Sequence, residues 1–148
     1  MRIETKYFGE VEVNEAEIIT FPQGIPGFQE EKEFILQSFE EGGLFQILQS
    51  TANIDPAFVV VDPFLFVQDY EFKLDDATMK QLQIKQKEDV RVLAIVTVKE
   101  PLTKSTANLQ APVVMNHSNK YAKQLISLKS NYKTREAIFQ QTSTKEEE

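Results

Sequence analysis

Cysteine and tryptophan are absent from this 148-residue chain, and histidine occurs once. Without cysteine there is no disulfide framework, no thiolate site for zinc or an iron–sulfur cluster, and no thiol chemistry. Nothing in the composition calls for an oxidising compartment. Without tryptophan the large core pieces must be Phe, Leu, Ile and Val. A single histidine excludes a His-rich metal centre, and any imidazole base would rest on His117 alone. His117 stands between Asn116 and Ser118 in an expected turn, where an exposed residue is the simpler reading. Asn116-His117-Ser118 also matches a glycosylation acceptor, which has no bearing in a cytoplasmic protein. The five glycines, at 9, 24, 27, 42 and 43, form neither GxGxxG nor the Walker pattern, so no phosphate-cradling loop is present. Long apolar runs are missing too. Ala57 to Val61 and Val92 to Val98 are far too short to span a bilayer. Met1 to Lys6 has no apolar run behind it and does not read as a signal peptide. The expected location is cytoplasmic.

What is present suits one domain with a real core. Hydrophobic residues make up 41% of the chain, with 11 Phe and 4 Tyr. The net charge of −7 is unevenly spread. From Glu10 to Glu41 nine acids (Glu10, Glu12, Glu15, Glu17, Glu30, Glu31, Glu33, Glu40, Glu41) face one base, Lys32. From Lys120 to Arg135 the charged residues are Lys120, Lys123, Lys129, Lys133 and Arg135, all basic. A basic protein partner suits the acidic stretch. For any single Glu a solvated strand face is the better reading of the charge. Direct nucleic-acid binding is not expected from this charge distribution; as the alternative, RNA binding would draw on the later stretch, with Tyr121 and Tyr132 as stacking platforms.

Period-two alternation predicts strands at Ile3 to Thr5 and Gly9 to Val13, turned at Lys6 to Gly9. Ala16 to Phe21 reads as a third strand, although Ile18-Ile19 breaks the alternation. Pro22 to Phe28 is a shaped loop: its prolines fix φ and its glycines permit positive φ. Phe34 to Leu36 and Leu44 to Leu48, around Glu40-Glu41-Gly42-Gly43, form a hairpin signature. Ala57 to Val61 reads as a central strand and Tyr70 to Leu74 as another. A helix capped by Asp75 or Asp76 runs to about Leu82, its apolar side made by Ala77, Met79 and Leu82. Asp89 to Val98 is a long strand, Lys99 to Asn108 a loop, and Val113 to Met115 with Tyr121 to Leu128 a last strand pair. Thr134 to Gln140 suggests one or two helical turns, and Thr142 to Glu148 a frayed end. The expected fold is mostly β: a small antiparallel barrel-like or sandwich domain with one or two short helices over 1–135, followed by a tail at 136–148. A monomer is the expected state.

Paired carboxylates occur at Glu30-Glu31, Glu40-Glu41 and Asp75-Asp76. Sequence neighbours on a strand point apart, so adjacency gives no acid/base geometry, and Asp75-Asp76 suits a helix start. A hydrolase would need two carboxylates brought together by the fold. The expectation is a binding protein without catalytic residues, metal or cofactor.

Three segments carry a resemblance. Phe21 to Phe28 is similar to the GIPGF loop of the FliW flagellar assembly factor family. Leu44 to Ser50 with Pro56 to Pro63 resembles that family's FQ-L-S and P-AF-V-DP segment. Thr106 to Asn116, followed by Ala122 to Ile126, resembles its NLQAPVVIN and AKQ block, with Met115 where Ile is common. The resemblance implies a single β-barrel-like domain and two protein partners: flagellin, and CsrA, an RNA-binding repressor of flagellin translation. The family scheme is one of exchange, in which the protein released by flagellin binds CsrA and relieves repression. Partner-binding candidates are the acids Glu30, Glu31 and Glu33, the apolar anchors Ile25, Phe28 and Phe45, and the amides Asn108 and Gln110. For each anchor a place in the core is the competing reading. For Asn108 to Pro112 the competing reading is a turn that satisfies its own backbone.

Overall fold

The computed structural model describes residues 1–39, 43–126 and 131–139. β1 (Arg2–Thr5) and β2 (Gly9–Glu12) form a separate antiparallel hairpin. β3 (Ile19–Thr20), β4 (Glu33–Ser38), β5 (Gln46–Ser50), β6 (Ala57–Val61) and β7 (Val90–Thr97) follow as an antiparallel meander. Helix α1 (Asp76–Gln81) lies between β6 and β7 in sequence. The short β8 (Thr106–Ala107) and then β9 (Val113–Asn116) pair with β7, and β10 (Ala122–Gln124) pairs with β9. The path β3-β4-β5-β6-β7-β9-β10 curls until its ends meet: Thr20 and Tyr121 form a parallel bridge, and the Thr20 amide donates to the Lys120 carbonyl at 2.8 Å. The fold is therefore a nearly closed barrel.

Alternation explains both faces. Register places Leu36 opposite Leu48, Leu48 opposite Phe58, Val60 opposite Ile95, Leu93 opposite Val113 and Met115 opposite Ala122. These side chains, with Ile19, Phe21, Ile25 and Phe34, form one interior cluster. The alternate residues face outward and are covered in their turn. Ile35 lies under the hairpin beside Ile3 and Val13. Val61, Val92, Ala94 and Val96 pack with Tyr70, Ile138 and Phe139. Val114 packs with Leu82 and Ile84 beside α1. A double-sided sheet accounts for the continuous apolar run of β6.

Several elements differ from the sequence reading. Ala16 to Phe21 is not one strand. Asn14 Oδ1 accepts the Ala16 amide and starts a 3-10 turn over Glu15–Glu17, leaving only Ile19–Thr20 for the sheet. Ile18 and Ile19 do face two covered sides, toward the hairpin and toward the interior. Tyr70 to Leu74 forms no strand. Its alternating apolar residues serve as a lid over the barrel exterior, with Tyr70 O–H donating to the Leu109 carbonyl at 2.7 Å. Lys99 to Asn108 contains a 3-10 turn at Leu102–Lys104 and β8. In α1 the buried side chain is Thr78, while Ala77 is exposed; the Asp75 cap is as expected, accepting the Thr78 amide at 3.1 Å.

Residues 134–139 are not helical. Glu136 exchanges two backbone hydrogen bonds with Ala107, and Ile138 and Phe139 enter the outer core, beyond the expected domain limit at 135. The tail positions from 140 onward, the Glu40-Glu41-Gly42 turn and residues 127–130 lie outside the described residues.

Candidate partner-binding surface

The loop after β3 sorts its two apolar residues by backbone geometry. Pro22 cannot donate to a ladder, so β3 ends before it. The Gly24 amide donates back to the Phe21 carbonyl at 2.8 Å, at φ +71°. A Cβ at Gly24 would run into the Gln29 carbonyl, so only glycine fits. Gly27, at φ +88°, reverses the chain, and the Phe28 amide donates to the Ile25 carbonyl at 2.7 Å. Ile25 is 2% exposed and belongs to the barrel interior, so the structure gives it the core place that competed with its role as an anchor.

Phe28 is 43% exposed. Its ring stands edge-on to Phe58 at 5.6 Å, and Phe58 leans on Phe34 at 6.3 Å. An aromatic column thus runs from the surface loop into the core.

The acids continue from this loop. Glu30 and Glu33 are exposed, and no ion pair engages them among the described residues. Glu31 is half-buried and accepts the Asn53 side-chain amide at 2.7 Å. By contrast, Glu10 and Glu12 of the hairpin are answered by Arg2 at 3.1 and 3.6 Å. Among the described acids of the stretch, Glu10 and Glu12 on the hairpin are paired, whereas Glu30 and Glu33 beside Phe28 are not.

The other candidates lie elsewhere. Phe45 is half-buried and stacks on Phe139 at 5.8 Å in the outer core. Asn108 and Gln110 belong to an excursion between β8 and β9. There Asn108 Oδ1 accepts the Ala111 amide at 3.0 Å, its amide donates to the Ile95 carbonyl, and the Gln110 amide donates to the Lys133 carbonyl. One of these bonds lies within the turn, and the others tie it to β7 and to Lys133. The structure thus brings together Phe28, Glu30, Glu31 and Glu33, and leaves Phe45, Asn108 and Gln110 apart from them.

Among the described residues two ionisable groups are displaced from their ordinary range, and both are structural. Burial, followed by nearby Tyr132, pushes the Tyr70 phenol strongly upward. Thr78 holds the Asp75 carboxylate low; its amide bond is formed, whereas the Thr78 hydroxyl falls short of hydrogen-bond geometry. Tyr121 and Tyr132, the stacking platforms of an RNA reading, are both partly buried: Tyr121 packs beside Leu82 and Tyr132 stands edge-on to Tyr70 at 4.8 Å. Among the described residues no group of three or more acids or histidines is placed to hold a metal, and no helix is long and apolar enough to cross a membrane.

Sequence reasoning missed two features. Exposed Tyr7 meets exposed Phe39 edge-on at 5.9 Å; the signal was an aromatic pair, Tyr7-Phe8, inside a turn. A small cleft with about 260 Å³ of open space also lies along the barrel seam, between Pro22 and Gly24 of the loop, Gln81 and Leu82 at the end of α1, and Ala122 and Lys123 of β10. No local pattern announces it, because three distant segments build it.

Comparison with known proteins gives a consistent result. The family model described as FliW protein matches residues 2–138. The chain is similar to the flagellar assembly factor FliW of Bacillus licheniformis, at 46% identity over 138 residues, covering 93% of this chain and 96% of the relative. The Bacillus subtilis protein of the same name matches with the same identity and coverage. A solved structure, titled crystal structure of the flagellar assembly factor FliW, superposes with a TM-score of 0.90 at 45% identity, covering 94% of this chain and 97% of that one.

Proposed function

This chain belongs to the FliW family of flagellar assembly factors, and from that premise we propose that it works in the cytoplasm, as a binding protein and not an enzyme, by holding flagellin and CsrA in exchange. Held by flagellin, it leaves CsrA free to repress flagellin translation. Released, it binds CsrA and lifts the repression. Reciprocal linkage is all the scheme requires: whichever partner binds lowers the affinity for the other.

The observation that carries this reading is Phe28, exposed beside the unpaired Glu30 and Glu33. CsrA reads RNA and therefore presents basic surface, which an unpaired acidic flank attracts. Exposed ion pairs contribute only about 0–1 kcal/mol each. Micromolar binding needs about 8 kcal/mol. The acids accordingly steer and select, while an apolar anchor supplies most of the affinity, and Phe28 is the anchor at hand. The test is calorimetric titration of CsrA into the protein and into a variant with Glu30, Glu31 and Glu33 changed to Lys. The variant is expected to bind more weakly and with a flatter salt dependence. Equal affinity in both proteins would remove the acidic flank from the account.

A further inference from the structure

Among the described residues β10 is an edge strand for most of its length, and the reason is visible in the sequence. Its neighbour across the seam, β3, touches it only at Tyr121 and then turns away at Pro22. On its other side β10 pairs with β9. The Tyr121 carbonyl accepts the Asn116 amide, and the Leu125 amide donates to the Pro112 carbonyl. Backbone groups alternate along an antiparallel strand, so Lys123 also faces β9, while the N–H and C=O of Gln124 face the open side. No hydrogen bond among the described residues engages that amide or carbonyl.

The seam cleft opens beside this edge, with a floor made by Leu82 and Ala122, each 1% exposed. Lys123 lines it, and its Nζ is held in place by Gln81 Oε1 at 3.0 Å. The Asp75 carboxylate that caps α1 lies near Lys123 and answers part of its charge.

We propose that the open edge of β10 and the seam cleft together receive an extended, acidic segment of a partner protein. The segment adds as a strand at Gln124, inserts one aliphatic side chain between Pro22 and Ala122, and places a carboxylate against Lys123. The proposal rests on the two-partner reading above. The unpaired acids beside Phe28 attract the basic partner, and Lys123 at the seam is left for the other. Both surfaces use the same loop, Pro22 and Gly24 at one end and Phe28 at the other, so an occupant at either end acts on a segment that the second also needs.

The experiment is titration of flagellin, and separately of CsrA, into the wild-type protein and three variants: Gln124→Pro, Gln124→Ala and Lys123→Glu. Gln124→Pro removes the outward amide without touching the ladder to β9, whereas Gln124→Ala keeps it and loses only the side-chain bond to the Ala111 carbonyl. Flagellin affinity is expected to fall at least tenfold in Gln124→Pro and Lys123→Glu and to stay near wild type in Gln124→Ala, with CsrA affinity unchanged in all three. Amide NMR spectra verify that each variant is folded. If wild-type protein binds flagellin and folded Gln124→Pro binds it equally well, the edge proposal fails while the two-partner reading stands. If the wild-type protein does not bind flagellin, both fail.

Discussion

The Thr20 amide donates to the Lys120 carbonyl at 2.8 Å, and this contact joins the first strand of the barrel to the approach of the last. One hundred residues of sequence separate the two groups. Thr20 sits at the end of a two-residue strand, and Lys120 adopts φ +65° to turn its carbonyl across the gap. The closure is therefore local and thin.

Thr20→Pro removes the donor of that bond. The expected cost is about 1–3 kcal/mol, the lost hydrogen bond plus local strain. Thermal unfolding is expected to show a lower midpoint with the strand content preserved, and hydrogen exchange at Ala122 and Lys123 is expected to speed up. An unchanged midpoint would mean that the seam contributes nothing to stability.

Gly24 and Gly27 both have positive φ, but their surroundings differ. A side chain at Gly24 meets the Gln29 carbonyl, while one at Gly27 finds open space. Gly24→Ala therefore combines backbone strain with a steric collision, and Gly27→Ala carries the strain alone, about 1 kcal/mol. Chemical denaturation is expected to rank Gly24→Ala clearly below Gly27→Ala. Equal stabilities would contradict the close approach.

Phe28 and Ile25 are three residues apart in one loop and are expected to respond in opposite ways. Ile25→Ala opens a hole in the barrel interior and is expected to lower stability by about 2–5 kcal/mol. Phe28→Ala trims an exposed ring; its expected effect on stability is below about 1.5 kcal/mol, the size of the aromatic contact with Phe58, and its main effect is on partner affinity. A large stability loss in Phe28→Ala would make the ring a core residue.

The elements built from local signals were legible in the sequence. β6 and β7 follow apolar runs, and α1 follows its Asp75 cap. The misread segments are those where a local pattern met a different partner. The Asn14 cap diverted Glu15–Glu17 into a turn, and the alternation of Tyr70 to Leu74 serves a lid that has no strand beside it. The acidic flank was legible as composition. Its division into paired Glu10 and Glu12 and unpaired Glu30 and Glu33 was not, because pairing depends on where Arg2 folds back. The contrast between Ile25 and Phe28 was likewise hidden, since the reversal at Gly27 decides which one faces inward. The seam and its cleft depend on segments about one hundred residues apart, which no periodicity reports.

The central claim is that this barrel carries two protein partners in exchange. The most direct measurement preforms its complex with CsrA, adds flagellin in increasing amounts, and follows free CsrA by size-exclusion chromatography with light scattering. Flagellin is expected to release CsrA in proportion to the complex it forms. A stable three-component complex, or CsrA that stays bound at saturating flagellin, would contradict exchange.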